Sequence, residues 1–130
     1  MAHRVFICYS SRNADVAVAA RDALESQRIP CWMAPRDIVP GHEWGESIIE
    51  AIEASQIIVV IFSVHANLSP QVKREVERGV SKNKTIVLMR VEDTMPSGAM
   101  EYGLSNTHWL DAFSLPLAEH LFELCEAVSR

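Results

Sequence analysis

One carboxylate in this chain is placed to do chemistry. Glu75 lies in the stretch Ile57 to Val80, IIVVIFSVHANLSPQVKREVERGV. That stretch reads as a buried strand, a polar loop, and a helix opening at Ser69-Pro70. Glu75 is a turn and a half into the helix. Its neighbours Lys73, Arg74, Glu77 and Arg78 are all charged, and a lone Glu on such a helix is ordinarily a solvated surface group. Three earlier segments carry side chains that suit a polar site: Ser10-Ser11-Arg12, Trp32 to Arg36, and Ser63. They offer hydroxyls, guanidinium groups and one aromatic ring. Trp44 opens a later helix and reads as structural, as does Trp109.

Other chemistries lack their residues. The five histidines are scattered, without the spacing of a metal site. There is no GxGxxG, no phosphate-binding P-loop and no GxSxG, so neither a dinucleotide-dependent dehydrogenase nor a serine hydrolase is expected. The net charge of −5 disfavours nucleic acid, which asks for a basic face. Three cysteines without close pairing fit a reducing compartment, and Cys8 and Cys31 sit in apolar runs as small hydrophobes. The N-terminal apolar run is too short for a signal peptide. No run approaches the roughly 20 residues that cross a bilayer. A soluble, cytoplasmic chain with no membrane contact is expected.

The elements that position these residues follow from apolar periodicity. Val5 to Tyr9 reads as a buried strand. Asn13 can cap a helix whose inward face is Val16, Ala19, Ala20, Ala23 and Leu24. Cys31 to Met33 makes a second strand. The loop after it, Ala34 to Gly41, holds two prolines and a glycine and is not regular structure. A helix starting near Trp44 turns Ile48, Ala51, Ile52 and Ser55 inward. Ile57 to Phe62 is apolar throughout, as in a central parallel strand covered on both faces. Val72, Val76 and Val80 mark the buried stripe of the next helix. Thr85 to Met89 is a fourth strand. Residues 91 to 106 read as irregular with a short helix, and Thr107 to Leu110 as a short edge strand. Leu117, His120, Leu121, Leu124, Cys125 and Val128 make an amphipathic last helix.

Strands alternating with helices imply one α/β domain over residues 1–130, an open parallel sheet with right-handed crossovers. Five strands suit the flavodoxin-like order 2-1-3-4-5 with helices on both faces. In such a sheet ligands bind beyond the carboxyl ends of the strands where the order reverses, here between strands one and three. Ser10 and Ser11 follow strand one, Ser63 follows strand three, and Glu75 follows in the next helix. The loop after strand two can close over them.

The segments VFICYSS, CWMAPRDIVPGHEW, AIEASQIIVVIFS and NLSPQVKREVERGV, in this order and spacing, closely resemble the Toll/interleukin-1 receptor (TIR) domain, above all its bacterial NAD-cleaving members. The resemblance implies a flavodoxin-like fold. It implies cleavage of the nicotinamide–ribose bond of NAD+, with cyclisation of the ADP-ribose to a signalling nucleotide in antiphage defence in some members. Other members are scaffolds that work through TIR–TIR contacts. The family's catalytic glutamate, often written WxxxE, falls on Glu75, with Gln71 standing where the family carries tryptophan. Asn13 stands near an Asp that the family often has after its first serine. The loop 34 to 43 matches a loop that gates the site and makes assembly contacts.

On that reading NAD+ is the substrate and no cofactor is needed. Ser10, Ser11, Arg12, Trp32, Arg36 and Ser63 are the candidate substrate contacts, with Arg36 and Arg12 for the pyrophosphate and Trp32 for ring stacking. Self-association through Pro35 to Glu43 is expected, since Ile38 and Val39 would otherwise expose an apolar tip. Other TIR or effector proteins are expected partners, and the trigger would lie on other proteins or on further parts of a longer chain. A non-enzymatic interaction module and a relative of the nucleoside deoxyribosyltransferases are the alternatives.

Overall fold

The computed structural model describes residues 4–104, 107–114 and 116–129. β1 (Val5–Cys8), β2 (Cys31–Trp32), β3 (Ile57–Phe62), β4 (Thr85–Arg90) and β5 (His108–Asp111) form one sheet in the order β2-β1-β3-β4-β5. Every pairing is parallel, with Cys8 beside Val60 and Phe62 beside Arg90. The strand order reverses between β1 and β3, as expected from the sequence.

The helices are α1 (Ala14–Ser26), α2 (Trp44–Ala54), α3 (Val64–Leu68), α4 (Pro70–Ser81), α5 (Ala99–Leu104) and α6 (Leu117–Ser129). They cover both faces because β3 is apolar and buried at every position. Successive strand residues point to opposite faces. Val5 and Ile7 join Val59 and Ile61 in the layer under α1 and α6. Phe6 and Cys8 join Ile58, Val60 and Phe62 in the layer under α2, α4 and α5. Cys8 is thus aimed at α4, the helix that carries Glu75.

Helix α4 starts where Ser69 accepts a hydrogen bond from the Val72 amide and Pro70 takes the first position. Its inward side is Val72, Glu75, Val76 and Gly79. A Cβ on Gly79 would stand 3.1 Å from Ile58 Cγ1, so the missing side chain lets α4 lie close against β3. That close approach keeps Glu75 low over the strand ends.

Besides one-residue differences at the ends of β1, β2 and β4, other details differ from the sequence reading. The segment after β3 is not a plain polar loop but contains α3, capped by Ser63. Val80 is 40% exposed rather than part of the buried stripe, because Gly79 takes the place on that face. On α1 the fully buried residues are Ala17, Ala20 and Leu24, while Val16, Ala19 and Ala23 are only half-buried. Strand β5 begins one residue later than expected. Within the 91 to 106 segment the short helix is α5, and Ser105 and Asn106 lie outside the described residues.

Candidate active site

Glu75 is 7% exposed, far from the solvated state usual for a helical glutamate. Its carboxylate is held from its own helix and from β1. One turn earlier, Gln71 Nε2 donates to Glu75 Oε2 at 3.1 Å. Beneath it lies the Cys8 thiol, wholly buried, which donates to the Val72 carbonyl at 3.9 Å. Burial raises the Glu75 pKa above the ordinary carboxylate value. The Cys8 thiol, the Gln71 amide and the charge of Arg74 pull the other way. The carboxylate in turn pushes Cys8 up, after burial itself, so this thiol stays protonated and serves as a donor.

A cavity of about 170 Å³ opens over Glu75 at the carboxyl end of β1. Tyr9, Ser11, Pro35, Trp44, Gln71 and Glu75 are among its walls. The 34 to 43 loop is tied to this cavity by Tyr9, whose hydroxyl donates to the Ala34 carbonyl at 2.6 Å. Burial and then the Glu75 charge raise the Tyr9 pKa, which keeps the phenol protonated as that donor. Within the loop the Asp37 carboxylate accepts from the Met33 amide at 2.9 Å. The site is therefore a carboxylate low in a small cleft, with a hydroxyl, a phenol and an indole around it. A second groove, about 560 Å³ between α2 and α4, shares Trp44, Gln71 and Glu75 with the first.

The sequence-expected residues divide. Glu75 and Ser11 are brought together in one cavity. Arg36 is not free for a pyrophosphate, and this corrects its expected role. Its guanidinium grips Glu25 with two bonds of 2.9 and 2.8 Å, Asp37 at 2.8 Å and the Cys31 carbonyl at 2.9 Å. These carboxylates raise its pKa further, and the group anchors the loop to α1. Trp32 is likewise corrected: it is 8% exposed. It stacks on Phe6 with centroids 5.3 Å apart and planes 8° off parallel, because β2 turns it into the core layer. Ser63 is fully buried, donating to Asn13 Oδ1 at 2.6 Å and accepting from the Ala66 amide at 3.0 Å. It ties β3 to the start of α1 and has no face toward the cleft. Ser10 caps the short 3-10 turn Ser11–Asn13 by accepting from the Arg12 amide at 3.3 Å. Arg12 is exposed on that turn, off the cavity walls.

Three residues enter the site that the sequence reading left out or gave another role. Trp44, read from the sequence as structural, is 53% exposed and lines both cavities. Cys8 and Tyr9 were legible as strand-end residues beside the reversal point, but apolar patterning had absorbed them. The loop tip is also redistributed. Of its two aliphatic residues, Ile38 packs against the α2/α4 core layer and Val39 remains largely exposed, at 53%.

Comparison with known proteins adds the family. A model described as TIR domain matches residues 5–124. Among solved structures, the chain is similar to the TIR domain of the Toll-related receptor TRR-2 from Hydra magnipapillata. The TM-score is 0.81 at 21% identity, over 97% of this chain and 98% of that one. It is similar to the TIR domains of the activated Roq1 resistosome recognising the pathogen effector XopQ, with TM-score 0.77, 13% identity, and 97% and 99% covered. It is also similar to the Clostridium botulinum CMP N-glycosidase BcmB, with TM-score 0.71, 16% identity, and 95% and 98% covered. At these identities the likeness is one of fold. Among curated proteins none matches the sequence.

Proposed function

We propose a function from the premise that this chain belongs to the TIR domain family: it cleaves NAD+ at the nicotinamide–ribose bond. The observation that carries the proposal is Glu75, a carboxylate 7% exposed yet in the wall of a cleft, at the edge where the fold binds ligands. It is the residue that falls on the family's catalytic glutamate.

The chemistry asks little more than such a group. The bond from the ribose carbon to the nicotinamide nitrogen breaks, and its electron pair goes to the ring nitrogen, cancelling the ring's positive charge. Positive charge builds on the ribose, as in other glycosidic cleavages. A carboxylate beside the sugar stabilises that charge and accepts from the ribose hydroxyls, an electrostatic effect that a low-polarity cleft strengthens. Since the leaving group is already cationic it needs no acid, so one carboxylate serves where glycosidases use two. Water then adds to the ribose carbon and releases a proton to solvent to give ADP-ribose, or a group of the same nucleotide adds to give a cyclic product. NAD+ is the substrate on this reading, and no cofactor takes part. Val39 and the 35 to 43 loop are the proposed self-association surface.

A second reading is favoured by the small size of the cleft and by the likeness of fold to a CMP N-glycosidase. On it the same carboxylate cleaves the N-glycosidic bond of a mononucleotide. Incubation with NAD+, with CMP and with deoxynucleosides, followed by chromatography, separates the readings. Release of nicotinamide supports the first, and release of free base from CMP or a deoxynucleoside alone supports the second. No product from any of them at high protein concentration leaves a non-enzymatic TIR interaction module.

A further inference from the structure

The cleft beside Ser11 holds about 170 Å³, well below the roughly 300–1,000 Å³ of cavities that enclose a ligand of drug size. It takes a sugar and little more. A dinucleotide with its ribose at Glu75 must lay its other parts elsewhere. The adjoining space is the α2–α4 groove of about 560 Å³, which meets the cleft along Trp44, Gln71 and Glu75. Its floor is apolar, made by Ile48 and Ile52 with Ile49 at the rim, 42% exposed. The exposed Trp44 indole stands at the junction. Of the two arginines on the wall, Arg78 is engaged with Glu53 at 2.7 Å. Arg74 has no ion pair within 4.0 Å among the described residues, and its charge is felt at Glu75.

We propose that this groove is the subsite for the ADP part of the dinucleotide. The proposal rests on the NAD+ reading above and goes beyond it. Arg74 holds the pyrophosphate next to the ribose at Glu75, in the role that Arg36 cannot take. The adenine lies beyond it on the apolar floor, against Trp44 and Ile49, where a flat ring loses water on both faces. Glu77, also on the groove wall, repels phosphate and confines it to the Arg74 end.

The test uses the whole chain and two probes that are not cleaved, ADP-ribose and ribose 5-phosphate, titrated by calorimetry. ADP-ribose is expected to bind at least about tenfold tighter, the scale of one charge-assisted hydrogen bond. Ile49→Glu, at an exposed position on the rim of the apolar floor, is expected to remove about tenfold of the ADP-ribose affinity and leave ribose 5-phosphate unchanged. Arg74→Gln, also exposed, is expected to weaken both probes by about tenfold, since each places a phosphate beside the ribose. Equal affinity of the wild type for the two probes, no ADP-ribose binding, or full ADP-ribose affinity in both variants overturns the subsite. If NAD+ is still cleaved in a Glu75-dependent way, only the subsite has failed. If the wild type releases no nicotinamide at all, the reaction itself has failed, and the subsite with it.

Discussion

Gln71 and Glu75 are one helical turn apart, and the amide of the first donates to the carboxylate of the second at 3.1 Å. Residues at i and i+4 share a helix face, so this contact is built into α4 itself. It lets Gln71 hold the acid in place and favour its charged form, against the burial that disfavours it.

The first expectation concerns Glu75 as the charged group. Glu75→Gln should lower NAD+ cleavage by more than about 100-fold, the loss expected for a main electrostatic stabiliser, with circular dichroism unchanged. Glu119→Gln, on an exposed position of α6 away from both cavities, should stay within a few-fold of wild type. Activity of Glu75→Gln within a few-fold of wild type removes the assignment.

The same variant carries a signed stability effect. A carboxyl whose pKa is raised on folding binds its proton more readily in the native state than in the unfolded chain. Between the two values, native stability therefore falls as pH rises. Glu75→Gln lacks this component. It should melt above wild type at neutral pH, and the gap should close as pH drops to the ordinary carboxylate value of 4.5. Melting curves of both proteins across that range decide it, and a gap that widens toward acid contradicts the assignment of burial as the main cause.

Gln71→Leu removes a donor to the carboxylate without emptying the position. The pKa of Glu75 should rise further, so the acid limb of the activity profile should move to higher pH while neutral-pH stability changes little. A profile that drops in height without moving would mean that Gln71 acts on the substrate instead.

Trp32 and Trp44 should separate cleanly. Trp32→Ala empties a stacked core position and should cost about 3–5 kcal/mol of stability, seen in chemical denaturation. Trp44→Ala should leave stability nearly unchanged and raise KM for NAD+ by about tenfold, the scale of one lost aromatic contact. Equal destabilisation by the two would place Trp44 in the core after all.

For assembly the informative position is Val39. Specific activity should rise with protein concentration, and Val39→Asp should flatten that rise while the fold stays intact. Ile38→Asp should instead destabilise the domain, since Ile38 packs inward. Strictly concentration-independent activity, with a monomer throughout by light scattering, contradicts self-association through this loop.

Element types were readable from the chain because they follow local rules, and the sheet order because five strands alternating with helices suit one common topology. The unbroken apolar run Ile57 to Phe62 can only be a strand covered twice, and Ser69-Pro70 can only open a helix well. From order 2-1-3-4-5 the candidate cleft at the β1–β3 edge follows by topology, and Glu75 and Ser11 both line it. What tertiary structure decided was the partner of each polar side chain. Arg36 looked available because sequence does not show Glu25 arriving from α1 to meet it. Trp32 looked like a stacking platform because a two-residue strand does not declare which face it presents, and pairing with β1 set it against Phe6. Ser63 and Asn13 lie fifty residues apart and meet only because β3 lies beside β1. Cys8 comes to lie beneath Glu75 for a reason of both kinds. Strand alternation aims it at one face, and only the close packing of α4 on β3, permitted at Gly79, puts the acid there.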